Sequence, residues 1–149
     1  MACIFLFSFT RIIHKKMERF FLFSLGGHMD NKQTIAAMRE RAKDNFSKGF
    51  NCAECVLEAA LAIIDTGLPA ESLKMATCFG GGISLYGDTC GAITGAVLAV
   101  GAVHGRGQLP QNEDRKAAVK AAGQELYGRP GLYRLFNQIP NRIHEKYGH

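Results

Sequence analysis

Cys52-Ala53-Glu54-Cys55 is a Cys-x-x-Cys pair. Residues at i and i+3 share a helix face, so two sulfurs at this spacing can close a disulfide or bind one metal centre. Asn51 is a good helix cap, which places both cysteines in a first turn, where free backbone N–H groups and the helix dipole favour thiolate over thiol. Glu54 acts the other way, because a nearby carboxylate opposes thiolate formation. Cys90 repeats the logic: Asp88 or Thr89 can cap the next helix, with Cys90 in its first turn beside a glycine-rich opening. Cys78 closes a short helix, where the dipole is unfavourable to an anion, and is the weakest of the four on local grounds. The fifth cysteine, Cys3, falls in an N-terminal stretch that reads as lying outside the fold, and it is excluded from the site.

As metal ligands, Cys52, Cys55, Cys78 and Cys90 have the spacing C-x2-C-x22-C-x11-C. That is one tight pair without the second pair of a zinc ribbon, and it matches no common ferredoxin spacing. An iron–sulfur cluster, or zinc as the alternative, is permitted by ligand count and unsupported by pattern. Against all of these stands the plain reading of cysteine as a small buried residue that fills space. His104 comes at the end of an apolar helix and reads as a polar end group, while His144 and His149 read as solvated. Phe79-Gly80-Gly81-Gly82 lacks the Lys-Ser/Thr of a phosphate loop and does not come after a strand. No Ser/His/Asp order or paired-carboxylate arrangement can be argued from the remaining positions.

The elements that must position these thiols read as helices throughout. Asp30 or Asn31 can cap a helix with Ile35, Met38, Ala42 and Phe46 at three- and four-residue spacing, stopped by Gly49. A second helix runs from Asn51 to Asp65-Thr66-Gly67, with Val56, Leu57, Ala60, Leu61, Ile63 and Ile64 as its apolar face. Pro69 to Cys78 reads as a third, shorter helix. The segment from Phe79 to Asp88 then opens at Gly80, Gly81, Gly82 and Gly87. Cys90–Val103 is almost wholly apolar, too short to span a bilayer and suited to a core helix buried on all sides. Its Gly91, Gly95 and Ala99 form a small-residue stripe on which another helix can lie close. Asn112 can cap a helix through Tyr127, and Leu132–Tyr147 forms the last, with a kink or break at Pro140. With no persistent strand-like alternation, the expected architecture is an all-α bundle of about five helices.

Composition sets the outer limits. At 149 residues with 47% hydrophobic content the chain suits one compact domain and is not a disordered protein. The net charge of +5 misleads: Arg11, Lys15, Lys16 and Arg19 against Glu18 give +3 to residues 1–28 and leave +2 for the rest of the chain. No basic block interleaved with aromatics remains, so nucleic acid is not an expected partner. Residues 1–28 hold two short apolar bursts, Ile4–Phe9 and Phe20–Leu25, in the wrong order for a secretory signal and too short for a span. The favoured reading starts translation at Met29, with residues 1–28 an extension outside the fold and 29–149 the helical cysteine-containing domain. Membrane contact is not expected.

On the stretches Phe50-Asn51-Cys52-Ala53, Phe79-Gly80-Gly81-Gly82 and Gly87-Asp88-Thr89-Cys90-Gly91-Ala92-Ile93-Thr94-Gly95, the chain resembles the C_GCAxxG_C_C family, small redox-active proteins named for their spaced cysteines. The resemblance covers about Met29 to the C-terminus. It puts Cys52 on the family's first cysteine and Cys90 on that of its CGAxxG motif. It implies action through these cysteines, and the domain's occurrence beside cytochrome-type modules fits electron transfer. The family's last two cysteines, expected after a segment like Leu132–Gly148, are absent. Either the chain is truncated at His149, or Cys55 and Cys78 substitute for them.

The expected function is redox chemistry through Cys52 and Cys90, by thiol–disulfide cycling or an iron–sulfur centre. Cys55 and Cys78 would assist, and Gly91 and Gly95 would join the four cysteines at any cofactor. The alternatives are a non-enzymatic zinc-binding module and a helical interaction subunit with inert thiols. A redox partner is implied but not identified, homo-oligomerisation is left open, and activated thiols without a signal peptide suggest the cytoplasm.

Overall fold

The computed structural model describes residues 30–148. The expectations for residues 1–28, Cys3, a start at Met29 and His149 lie outside them.

Helix α1 spans Asn31–Ser47 and begins at Asp30, whose backbone N–H donates to Gln33 Oε1 at 3.2 Å. Its inward face is Met38, Ala42 and Asn45. Phe46, expected on that face, is exposed; Asn45 replaces it because its amide donates to Glu58 on the next helix. Helix α2, Cys52–Ile63, starts at Asn51 as expected and buries Ala53, Cys55, Val56, Leu57, Ala59 and Ala60. A 3-10 turn, Ala70–Leu73, leads into the short helix α3, Lys74–Thr77, which ends at Cys78. Helix α4 is Gly91–His104.

Helix α2 is the central element, held between α1 and α4. That corrects the expectation of a Cys90–Val103 helix buried on all sides. Only Gly91, Ala92, Gly95, Ala96 and Ala99 of α4 are fully buried, while Ile93, Val97 and Val100 are partly covered and pack on the core containing Ile139. The C-terminal helices are the physical reason. Helices α6 (Leu132–Phe136) and α7 (Gln138–Tyr147) are short, so they cover the outer face of α4 incompletely, and α7 buries only Ile139. Helix α5 (Arg115–Tyr127) buries no residue and packs mainly on α6, where Tyr127 and Tyr133 meet edge to face at 5.2 Å between ring centres.

Two expected boundaries move for local reasons. Asp114, not Asn112, caps α5, accepting from Lys116 N at 2.9 Å, while the Asn112 side chain accepts from Asp114 N at 2.9 Å. The last segment breaks at Asn137 rather than at Pro140. Pro140 is thereby the third residue of α7, where a missing N–H costs no intrahelical hydrogen bond. The described residues form an all-helical fold without strands.

The glycine stripe of α4 is the surface on which α2 lies. A Cβ on Gly95 would stand 2.5 Å from the Ala53 carbonyl oxygen and 2.9 Å from its Cα. These are main-chain atoms inside a helix and cannot yield locally. Gly95→Ala is therefore expected to cost about 1–3 kcal/mol through overpacking. Gly123→Ala, where a Cβ would meet nothing within 4 Å, is expected to raise stability by about 0.5–1 kcal/mol. Urea unfolding of the two variants checks both signs.

Candidate functional site

Helix α2 starts where it does because of a reciprocal cap. Asn51 Oδ1 accepts from Ala53 N and Glu54 N, each at 3.0 Å, and Glu54 Oε2 accepts from Asn51 N at 2.9 Å. Asn51-x-x-Glu54 is a capping box with asparagine as the cap, a signature present in the sequence that a reading focused on the cysteines passes over. The same residues tie α2 to α3. Asn51 Nδ2 donates to the Thr77 carbonyl at 3.1 Å, and Thr77 Oγ1 donates to Glu54 Oε1 at 2.7 Å. A Cβ on Gly80 would stand 2.8 Å from Asn51 Cγ, so the first glycine of the opening is the floor on which this cap rests.

The glycine-rich segment is a left-handed turn. Gly81, Gly82, Ile83, Ser84 and Leu85 are consecutive at φ between 50° and 78°, and Asp88 also has a positive φ of 63°. The turn is closed by Leu85 N on the Gly80 carbonyl at 3.2 Å, Gly87 N on that of Gly82 at 2.9 Å, and Ser84 Oγ on that of Cys78 at 3.1 Å. The chain returns to extended geometry at Cys90, which is itself the cap residue of α4, in place of Asp88 or Thr89. Its side chain makes no capping hydrogen bond, and Gly91 is the first helical residue.

The four described cysteines are free thiols in three environments. Cys52, the first residue of α2, and Cys90, the cap of α4, are half-buried and pack against one core cluster. Cys52 Sγ lies against Gly91, occupying the space a Gly91 side chain would take, and the Phe79 carbonyl closes the same point. Cys55 is fully buried, and its thiol points 3.5 Å from the Phe50 carbonyl. Burial, reinforced by Cys52 and then Glu54, pushes this thiol up to about 11. Cys78 is exposed, 3.5 Å from the Met75 carbonyl. Gly91 and Gly95 are buried in the α2–α4 contact.

One turn beyond the Cys-x-x-Cys pair, Glu58 joins α2 to α1. It accepts from Arg41 Nε at 2.9 Å and from the Asn45 amide, and the Arg41 hydrogen bonds hold its carboxyl below the usual carboxylate range. His104 stands at the opposite end of α4 from Cys90, and burial lowers its tendency to protonate.

Metal binding needs convergent donors, four thiolates in a closed zinc site. Among the described residues no group of three or more His, Cys, Asp and Glu side chains converges to hold an ion. Cys52, Cys55, Cys78 and Cys90 form no such group and lie in three environments. The fold brings Cys52 to the α4 terminus that Cys90 caps, keeps Cys55 behind them and leaves Cys78 outside.

Asn51→Ala is expected to cost about 1–2 kcal/mol through the lost cap, read by urea unfolding. Alkylation at pH 8 with mass mapping should label Cys78 readily and leave Cys55 unlabelled until the chain unfolds. Because the folded state holds the Cys55 proton up to about 11, while an unfolded thiol releases it near about 8.5, this stabilisation is complete below the lower value and is lost as pH rises through the higher one. Cys55→Ala should flatten the alkaline fall in stability.

No curated protein and no solved structure matches the chain. Among the described residues no helix is long and apolar enough to cross a membrane. The family model described as putative redox-active protein (C_GCAxxG_C_C) matches residues 50–149, beginning at the residue before the Asn51 cap rather than at Met29 and taking in Cys52, Cys55, Cys78 and Cys90. With two thirds of its length inside that match, the chain belongs to the C_GCAxxG_C_C family.

Proposed function

We propose that the chain is a thiol–disulfide redox protein whose working pair is Cys52 and Cys90. The observation that carries this reading is the seating of Cys52 Sγ against Gly91, the residue next to Cys90. Two half-buried thiols from the starts of two helices are thereby brought to the start of α4 and pack on one core cluster. Cys55, buried and held protonated, suits a supporting role, and Cys78 is exposed outside the pair.

In the forward half-reaction, Cys52 thiolate attacks one sulfur of a partner disulfide. A Cys52–partner mixed disulfide forms, and the partner's other sulfur leaves as a thiolate that takes up a proton. Cys90, on losing its proton, attacks Cys52 Sγ and expels the second partner sulfur, which is protonated in turn. The partner disulfide gains two electrons and two protons, and the Cys52–Cys90 disulfide holds the oxidised state. A dithiol partner reverses the sequence. A cytoplasmic setting, where thiols are kept reduced, agrees with this cycle.

Mild oxidation with diamide and then mass mapping tests the assignment. Wild type, Cys55→Ser and Cys78→Ser are expected to lose two hydrogens and give a peptide pair joined through Cys52 and Cys90. Cys52→Ser and Cys90→Ser are expected to lose that product. A cross-link between Cys52 and Cys55, or none at all, contradicts the pairing. Anaerobically purified protein carrying iron with sulfide, or stoichiometric zinc, would replace it with a metal-centred reading.

A further inference from the structure

We infer that Gly91 is a positioning residue for the thiol pair: the absence of a side chain there is what lets Cys52 Sγ lie against the first turn of α4 beside Cys90. This rests on the reading of Cys52 and Cys90 as the working pair. A Cβ on Gly91 would overlap Cys52 Sγ and would stand 2.7 Å from the Phe79 carbonyl oxygen and 3.5 Å from Ala53 N. A thiol, a helix backbone and the carbonyl that opens the glycine-rich turn thus converge on the place of one hydrogen atom.

The requirement at Gly91 is space, not backbone freedom. Its φ lies outside the left-handed region, unlike those of Gly81, Gly82 and Gly87, so an L-residue can adopt the backbone. Of the three neighbours, Ala53 N at 3.5 Å is an ordinary contact that need not yield, and the Phe79 carbonyl cannot yield cheaply. Ala53 is locked in the α2–α4 contact at Gly95, and Phe79 is held by its N–H on the Ala76 carbonyl at 3.0 Å and by Gly80 beneath Asn51. Cys52 Sγ is the group that can rotate away about a single bond. A methyl at position 91 therefore drives the Cys52 sulfur off α4 and away from Cys90, leaving the cysteine in the sequence while changing the pair it belongs to.

Equilibration of wild type and Gly91→Ala with reduced and oxidised glutathione, read by alkylation and mass mapping, provides the test. Gly91→Ala is expected to lower the equilibrium constant for the Cys52–Cys90 disulfide at least tenfold, a shift of about 30 mV, and to raise the alkylation rate of Cys52 several-fold. In urea unfolding, Gly91→Ala is expected to move the midpoint less in a Cys52→Ala background than in wild type, because the sulfur it displaces is gone. An equilibrium constant within twofold of wild type, or the same midpoint shift in both backgrounds, overturns the inference. If Gly91→Ala does not fold, recovery of folding by Cys52→Ala supports it and continued failure refutes it. If wild type forms no Cys52–Cys90 disulfide, the functional reading fails, and the comparison of backgrounds still decides the contact between Gly91 and Cys52.

Discussion

The approach of α2 to α4 is the constraint on which the rest of the molecule depends. At Gly95 the two helices meet main chain to main chain, with the Ala53 carbonyl and Cα where a side chain would otherwise be. Such a contact fixes register more strictly than interdigitating side chains, because backbone atoms have no rotamers through which to relieve a clash. Ala53 against Gly95 sets Cys52 against Gly91, one residue back on one helix and one turn back on the other. The thiols are thus placed by helix register, and no polar side chain is needed to aim them.

That register is useful only if α2 begins at Cys52, and the Asn51–Glu54 cap ensures it. Glu54 is positioned to oppose thiolate formation, yet its carboxylate is committed to Asn51 N and Thr77 Oγ1, with one oxygen on each. Its charge contributes to the protonated state of Cys55 behind it. The residue between the two cysteines therefore serves first as a joint between α2 and α3. Arg41, Asn45 and Glu58 make the corresponding joint to α1, which is why α2 could become the buried centre of a chain whose most apolar helix is α4.

Much of this is legible in the sequence, because caps and small-residue stripes are local signals. Asn51 as a cap, the all-α class and the Gly91–Gly95–Ala99 stripe are each carried by a few adjacent residues. Which helix lies deepest is not legible: α4 is the more uniformly apolar, but burial depends on what later elements can cover, and α6 and α7 are too short to enclose it. The seat of Cys90 differs by one or two positions from the sequence expectation, since Asp88 and Thr89 are good caps by type. The left-handed turn carries the backbone past both and leaves Cys90 as the residue that enters the helix. The asymmetry between Cys55 and Cys78, one sealed and one exposed, arises from the packing of α1 and α4 over α2 and has no local signature.

The left-handed turn is tied at its two ends to the elements that carry the thiols. Local sterics disfavour Ile83, Ser84 and Leu85 at positive φ by about 1–2 kcal/mol each, so such a run persists only where its ends are held. Both ends are held at the thiols. Gly80 sits under Asn51, and Gly82, where a Cβ would stand 2.8 Å from the Thr89 carbonyl, packs against the stretch of chain that leads into Cys90. The turn leaves Leu85 and Tyr86 almost wholly exposed, so apolar burial does not offset the strain of its apex. The offset comes from the joints at either end, which carry the chain from the Asn51 cap to the start of α4 and set the Phe79 carbonyl against Gly91. Cap, glycine contact and turn are three supports for one sulfur position.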